Sequence, residues 1–284
     1  MNYSWYNSHN VTAPFVGGLG NQLFQYASMY GIAKANGFKS TVPKFSLVSR
    51  IFPQLRATRT EWMSRDVSYK NFIERQPNAF DGRAFSLNFM HNIYLDGYLQ
   101  SWRYFDHVRT DLRKQLHFPQ KVLDQTEDFL QKALLKHRSQ HPSAQPQFIG
   151  VHVRRGDFLS EENRKQGYVA ATAKYFDRAM RYFESRFKEI VFIVTSDDPA
   201  WCQENIGSDK STVVISSWMD LPSHDMCLLS KCNHTIVSVG TFGWWGAWLA
   251  GGDVTYFKDF PQPQSNIDKY FKKGDYYLPN WIAV

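Results

Sequence analysis

The sequence predicts an α/β protein in two domains, the C-terminal one a doubly wound parallel sheet of about five strands. Three observations carry that expectation. From Phe148 onward, apolar runs of strand length alternate with amphipathic helical segments, the signature of parallel βαβ units. A Pro/Ser/Gln-rich stretch, RSQHPSAQPQ, interrupts the chain just before them and reads as a linker. With 284 residues, 43% of them apolar, the chain is long enough to bury two cores.

Taken in order, a short strand APFV (13–16) runs into GGLGNQ, then a helix from Asn21 to Asn36 that Gly37 ends, then a strand near Thr41. Between Phe45 and Leu95 the sequence is irregular and aromatic. Helices are expected over Tyr104 to His117 and Gln120 to Ser139, and the domain boundary near residue 145. The C-terminal strands are Phe148–Val153, Ile190–Ser196, Thr212–Ser216, Thr235–Val239 and Val254–Phe257. Between the first two lies a 3.6-period stripe of Tyr175, Phe176, Ala179, Met180, Phe183 and Phe187. Further helices are expected after Pro199, over Ser223–Lys231 and over Phe242–Ala250.

A net charge of +7 and a pI near 9.2 favour an anionic partner without choosing among nucleic acid, membrane surface and phosphorylated small molecule. The basic residues are scattered at spacings that suit solvated helix faces. Three cysteines without a C-x-x-C pair signal neither a disulfide framework nor zinc. The longest apolar stretch, Gly240 to Gly252, is glycine-punctuated and about 13 residues long, short of a membrane span. The N-terminus lacks the pattern of a secretion signal. Of three Asn-x-Ser/Thr tripeptides, Asn2-Tyr3-Ser4 and Asn10-Val11-Thr12 fall where an exposed stem would be, and Asn233-His234-Thr235 in an expected buried strand.

Four segments carry chemistry. VHVRRGD ends a parallel strand at the edge where such sheets bind ligands. Of Arg154 and Arg155, at least one can aim into that crevice, where a guanidinium matches the oxygens of a diphosphate. The bland alternative is a surface ion pair with Asp157, and Arg155-Gly156-Asp157 following a core strand does not suit an adhesion loop. TSDDPAWCQEN again joins a strand to a helix: Ser196 or Asp198 suits the helix cap, and Asp197 could accept from guanine N–H groups or ribose hydroxyls. In VGTFGWWGAWLAGGD the helix start at Gly240, Thr241, Phe242 and Gly243 favours an anion, while Trp244, Trp245 and Trp248 suit the core. GGLGNQLFQYA, with Gly18, Gly20, Asn21 and Gln22, permits backbone approach to a ligand but lacks the last glycine of a dinucleotide fingerprint. No Asp-x-Asp anchor for a metal diphosphate occurs. His137 and His141 read as solvated, since Pro142 ends their helix.

In this order the four segments resemble the α1,2-fucosyltransferases of glycosyltransferase family 11, over most of the chain. GTFG and GGD look like the animal members, whereas Trp244-Trp245 and DGYLQSWRYF (96–105) are more similar to bacterial and invertebrate ones; the mixture points to an invertebrate source. The resemblance implies a GT-B arrangement, two Rossmann-like domains facing across a cleft, with residues 1–145 on the acceptor side and 146–284 holding GDP-fucose. It implies inversion, no metal cofactor, and a galactose-terminated glycan as acceptor, attacked through its 2-hydroxyl. Carried over by motif, His152, Arg154 and Arg155 serve the donor, Asp197 the base, and Thr241 to Gly243 the phosphates, with Ser196, Gly240, Gly18, Gly20, Asn21 and Gln22 completing the donor set. Asp157 is the candidate base for the attacking hydroxyl; His152, or no side chain, is the alternative. Many family members carry Asn-Ser where this chain has Val239-Gly240, a change the animal pattern tolerates. The animal enzymes begin with a membrane anchor that this sequence does not show, so the expected location is the Golgi lumen if an anchor was removed and the cytoplasm otherwise. The competing readings are a silent GDP or sugar binder, a nucleotide-cofactor oxidoreductase built on GGLGNQ, for which no acidic residue stands at ribose-binding distance, and a nucleic-acid binder suggested by charge alone.

Overall fold

The structure, a computed structural model, describes residues 9–61, 68–88, 90–216, 218 and 221–284. It divides into two compact units: one is formed by residues up to His117 together with Tyr270–Leu278, the other by Phe118–Lys269 and Pro279–Val284.

The first unit is built on β1 (Asn10–Thr12), β2 (Lys39–Pro43), β3 (Thr58–Thr60), β4 (Tyr69–Ile73) and β5 (Asn92–Asp96), all parallel, in the order β3-β2-β1-β5-β4. Helix α1 (Leu19–Asn36) follows the central strand and ends at Gly37, φ 73°. Its side chains are buried nearly all round, Leu23, Phe24, Tyr26, Ala27 and Met29 completely, so it reads as apolar on every face rather than as a stripe. Short helices α2 (Leu47–Ile51) and α3 (Arg109–Gln115) complete this part, and α10 (Lys273–Tyr276) returns to it late in the chain. There Asp275 accepts from Arg103 Nη1 (2.9 Å) and from the Phe80 amide (3.0 Å).

The second unit has six parallel strands, β6 (Gln147–Val153), β7 (Ile190–Ser196), β8 (Thr212–Ile215), β9 (His234–Val237), β10 (Val254–Tyr256) and β11 (Ile282–Ala283). Their order is β11-β10-β9-β6-β7-β8. The chain reverses its direction of travel at β6, which β7 and β9 flank; such a switch point opens a crevice at the carboxyl ends of the strands. Strand β7 is buried along its whole length, which is why its sequence is a continuous apolar run. Helices α4 (Gln120–Arg138), α5 (Glu161–Gln166), α6 (Ala173–Glu184), α7 (Pro199–Asn205), α8 (Pro222–Ser230) and α9 (Thr241–Ala250) connect the strands. Trp244, Trp245 and Trp248 of α9 are in the core, 3% exposed or less.

Several expectations change. The first strand is Asn10–Thr12, and Ala13–Val16 form the loop after it, with Phe15 at φ 52°. The irregular region contains three strands, β3, β4 and β5, of three to five residues each, too short to show a period. The helix expected from Tyr104 is two 3₁₀ turns and then α3. The units part at His117/Phe118 rather than near 145. Helix α4 buries Leu130 and Ala133 against Val191, Ile193, Leu228 and Cys232, so hydrophobic packing assigns it to the second unit although a linker-like stretch follows it. His137 is buried, with Nδ1 2.8 Å from Thr212 Oγ1 and Nε2 3.1 Å from Glu189 Oε2, because the last turn of α4 lies on the sheet. Asn233 is exposed in the turn before β9, where its Oδ1 accepts from the Phe148 amide at 2.8 Å; Thr235 is buried, and Asn2-Tyr3-Ser4 lies outside the described residues. Among the described residues no helix is long and apolar enough to cross a membrane.

Candidate active site

Strand register assembles the site. Val153 pairs with Ser196 across β6 and β7, and His152 pairs with Val237 across β6 and β9. The residues that follow these pairs, Arg154-Arg155, Asp197-Asp198 and Ser238, therefore emerge side by side at the switch point.

Their hydrogen bonds form a closed set. Asp197 accepts from Arg154 Nη1 through Oδ2 (2.7 Å) and from the Arg155 amide through Oδ1 (2.9 Å). Arg154 Nη2 donates to Asp157 Oδ1 (2.7 Å), and the Arg154 amide donates to Ser238 Oγ (2.9 Å). Arg155 Nε donates to Asp198 Oδ2 (3.0 Å), and its guanidinium lies 4.0 Å from the centre of the Trp201 ring, an orientation in which the ring's negative face attracts the cation. Asp198 is also the cap of α7, accepting from the Trp201 amide at 3.1 Å, while Ser196 Oγ accepts from the Asp198 amide at 2.9 Å. Two of Arg154's five N–H donors are thus engaged, and the others can meet an anion.

The expected base reader, Asp197, has both oxygens committed to the arginine loop. Asp198 is likewise committed. A different carboxyl, which the sequence reading passed over, stands at the end of β8. Asp225, in the first turn of α8, is 7% exposed and accepts from Ser216 Oγ at 2.6 Å through one oxygen. Burial pushes it up to about 6. Its place within an apolar helical run, PSHDMCLL, is the signal that could have marked it: an acidic residue on a buried face needs a reason.

His152 is 5% exposed, and burial, with a smaller contribution from the Arg154 charge, pushes it down to about 3. It is therefore neutral at ordinary pH. Its ring stacks on Phe242 (centroids 5.7 Å, planes 28° apart), and its Nδ1 is 3.4 Å from Ser238 Oγ. A Cβ at Gly243 would stand 2.3 Å from Nδ1, so this glycine lets the first turn of α9 rest directly on the imidazole. Gly240, at φ 84°, supplies the left-handed residue that turns the chain into α9. No side chain caps α9; a helix's first N–H groups have no partner within the helix and carry the positive end of its dipole, so this start suits an anion.

In the first unit the glycine-rich segment opens α1 without a side-chain cap as well. Gln22, however, is 6% exposed: its Nε2 donates to Gly17 O (3.0 Å) and its Oε1 accepts from the Leu47 amide (2.7 Å). Gln25 Oε1 accepts from the Val16 amide at 3.0 Å, and Asn21 Oδ1 accepts from Gln100 Nε2 at 3.1 Å. These carboxamides hold the loop in shape; Gly18 stands at the helix start, exposed, and Gly20 is buried within its first turn. Among the described residues no three His, Cys, Asp or Glu side chains gather as a metal site would need.

Known proteins share this fold. NodZ α1,6-fucosyltransferase of Bradyrhizobium soaked with GDP-fucose superposes with a TM-score of 0.54 at 15% identity, over 85% of this chain and 92% of that one. A mutant of Arabidopsis thaliana FUT1 in complex with GDP gives 0.53 at 13%, over 88% and 70%. At such identities these show the fold, a GT-B-like pair of Rossmann-like units. In sequence, galactoside alpha-(1,2)-fucosyltransferase 2 of Sus scrofa is 32% identical over 280 residues, 95% of this chain and 78% of that protein. Galactoside 2-alpha-L-fucosyltransferase SEC1 of Bos taurus is 33% identical over 278 residues, covering 94% and 72%. With the family model matching residues 5–284, the chain belongs to glycosyl transferase family 11.

Proposed function

We propose that this protein transfers L-fucose from GDP-fucose to the 2-hydroxyl of a terminal galactose, with inversion and without a metal ion. The observation that carries the reading is the convergence of Arg154, Arg155 and the uncapped start of α9 at the switch point of a family 11 chain a third identical to galactoside α1,2-fucosyltransferases.

In this reading the diphosphate lies against Arg154 and the first turn of α9, Gly240 to Gly243. The acceptor oxygen forms a bond to the anomeric carbon on the face away from the diphosphate; the bond from that carbon to the diphosphate oxygen breaks, and GDP carries away the electron pair. The charge that develops there meets fixed guanidinium and helix-start N–H donors, the positive groups a divalent cation would otherwise supply. The hydroxyl proton passes to Asp157, whose carboxylate is the exposed one of the set (56%) and whose single-oxygen bond to Arg154 is the one the arriving diphosphate replaces. His152, buried and neutral, supports α9 from beneath instead. Asp225, with one oxygen on Ser216, accepts from the N–H edge of the guanine.

The test is GDP release from GDP-fucose by the purified protein with a panel of β-galactosides in EDTA, followed by linkage analysis. Acceptor-dependent release with fucose on the galactose 2-hydroxyl is expected. Loss of turnover in EDTA with recovery on adding a divalent cation would overturn metal independence, and fucose at another hydroxyl would overturn the linkage.

A further inference from the structure

We propose that Asp197 is a positioning residue: it fixes the two arginines in their diphosphate-binding arrangement and makes no contact with the nucleotide base. The inference rests on the fucosyltransferase reading above and adds a role within it. Its carboxylate spans the turn after β6, with one oxygen on the Arg154 guanidinium and the other on the Arg155 amide, 2.7 and 2.9 Å away. A guanine edge that needs a carboxylate for its ring N–H and amino group would have to share both oxygens with these partners, one of them a charged guanidinium that already fixes the carboxylate's plane.

The residue between the arginines and Asp157 supports the same role independently. A Cβ at Gly156 would stand 2.5 Å from Asp197 Oδ2, so the carboxylate occupies the space that any side chain at this position would fill. The glycine of Arg-Arg-Gly-Asp is thus accounted for by Asp197. The carboxylate is also the better shielded of Arg154's two partners, 26% exposed against 56% for Asp157. Water competes less for the Asp197 bond, so Asp157 is the partner that an arriving diphosphate displaces, while Asp197 keeps the guanidinium plane in place.

Nucleotide discrimination separates positioning from base reading. Titration calorimetry would measure GDP and ADP binding to the wild type and to Asp197→Ala, Gly156→Ala, the double variant and Asp225→Asn, each first checked for a cooperative thermal transition. Asp197→Ala is expected to weaken GDP and ADP by the same factor, about tenfold or more, leaving the wild-type preference for GDP unchanged. Gly156→Ala should do the same, and the double variant should be no weaker than Asp197→Ala alone, since the alanine methyl acts by evicting the carboxylate. Asp225→Asn should instead collapse the preference. The proposal is overturned if Asp197→Ala weakens GDP alone, or if it leaves both affinities unchanged. Should Asp197→Ala fail to fold, Gly156→Ala decides on the same two criteria. A wild-type protein that binds no GDP would count against the fucosyltransferase reading itself, and a normal wild type with a base-selective Asp197→Ala against the positioning role alone.

Discussion

Two helix starts in this molecule are built alike and surrounded differently. Helices α1 and α9 each follow a parallel strand, open at a glycine and lack a side-chain cap. Around α1 the polar groups are carboxamides, Gln22, Gln25 and Asn21, spent on neighbouring backbone and on Gln100. At α9 two arginines emerge at the adjacent end of β6, one of them within reach of Ser238 through its amide. Backbone geometry at a helix terminus is generic; selectivity for a diphosphate comes from the fixed cations placed beside it.

The comparison breaks first at Arg154. Arg154→Ala should cost about 3 to 4 kcal/mol of transition-state stabilisation, a hundredfold or more in kcat/KM with GDP-fucose. Near-normal turnover would mean that the helix start suffices by itself. Gly243→Ala comes next: a methyl driven into His152 should cost about 1 to 3 kcal/mol of stability in urea unfolding and weaken GDP binding through displaced α9. On the other side, Gln25→Ala, which removes a fully buried bracket of the Val16 backbone, should destabilise by about 1 to 3 kcal/mol yet leave GDP affinity unchanged. A drop in GDP affinity there would make the α1 start part of the donor site.

The smallest effect is one of pH. Asp225 is raised to about 6 by burial, so its ionised form is penalised in the folded protein. That penalty on stability grows as pH rises from the ordinary carboxylate value near 4 and is complete above about 6. If Asp225 accepts from guanine as proposed, GDP binding needs its ionised form, and affinity should climb by up to about tenfold per pH unit toward pH 6 and then level off, while Asp225→Asn should be flat over the same range. His152 titrates the opposite way. Its folded value lies below the unfolded one, so it favours the native state above about 6.5 and this contribution is lost as pH falls toward 3. It therefore adds nothing to the pH dependence of catalysis between 6 and 8.

The second unit was largely legible because its central strands β6 and β7 are mostly buried on both faces and α4 and α6 are amphipathic, so these elements announce themselves locally: β6, β7 and α6 fall within a few residues of expectation. The first unit was not. Strands β1 and β3 have three residues each and lie in polar sequence, and their pairing, not their composition, makes them strands. In the site, the arginines, the α9 glycines and Asp157 could be named from spacing, whereas Asp225 has no motif around it and is marked only by being an acidic residue inside an apolar helix.

By itself the sequence determined the alternation of strands and helices in the C-terminal half, the placement of Arg154, Arg155 and Gly240 at strand ends, and the family, because these follow from local patterns and ordered motifs. Only the tertiary structure decided what the carboxylates do. Arg154 and Asp197 are 43 residues apart in the chain and meet because β6 and β7 pair in one register; a slip of a single residue would point each to the other face of the sheet. The neutrality of His152 has the same origin, for it is the turn of α9, some ninety residues later, that removes water from the imidazole.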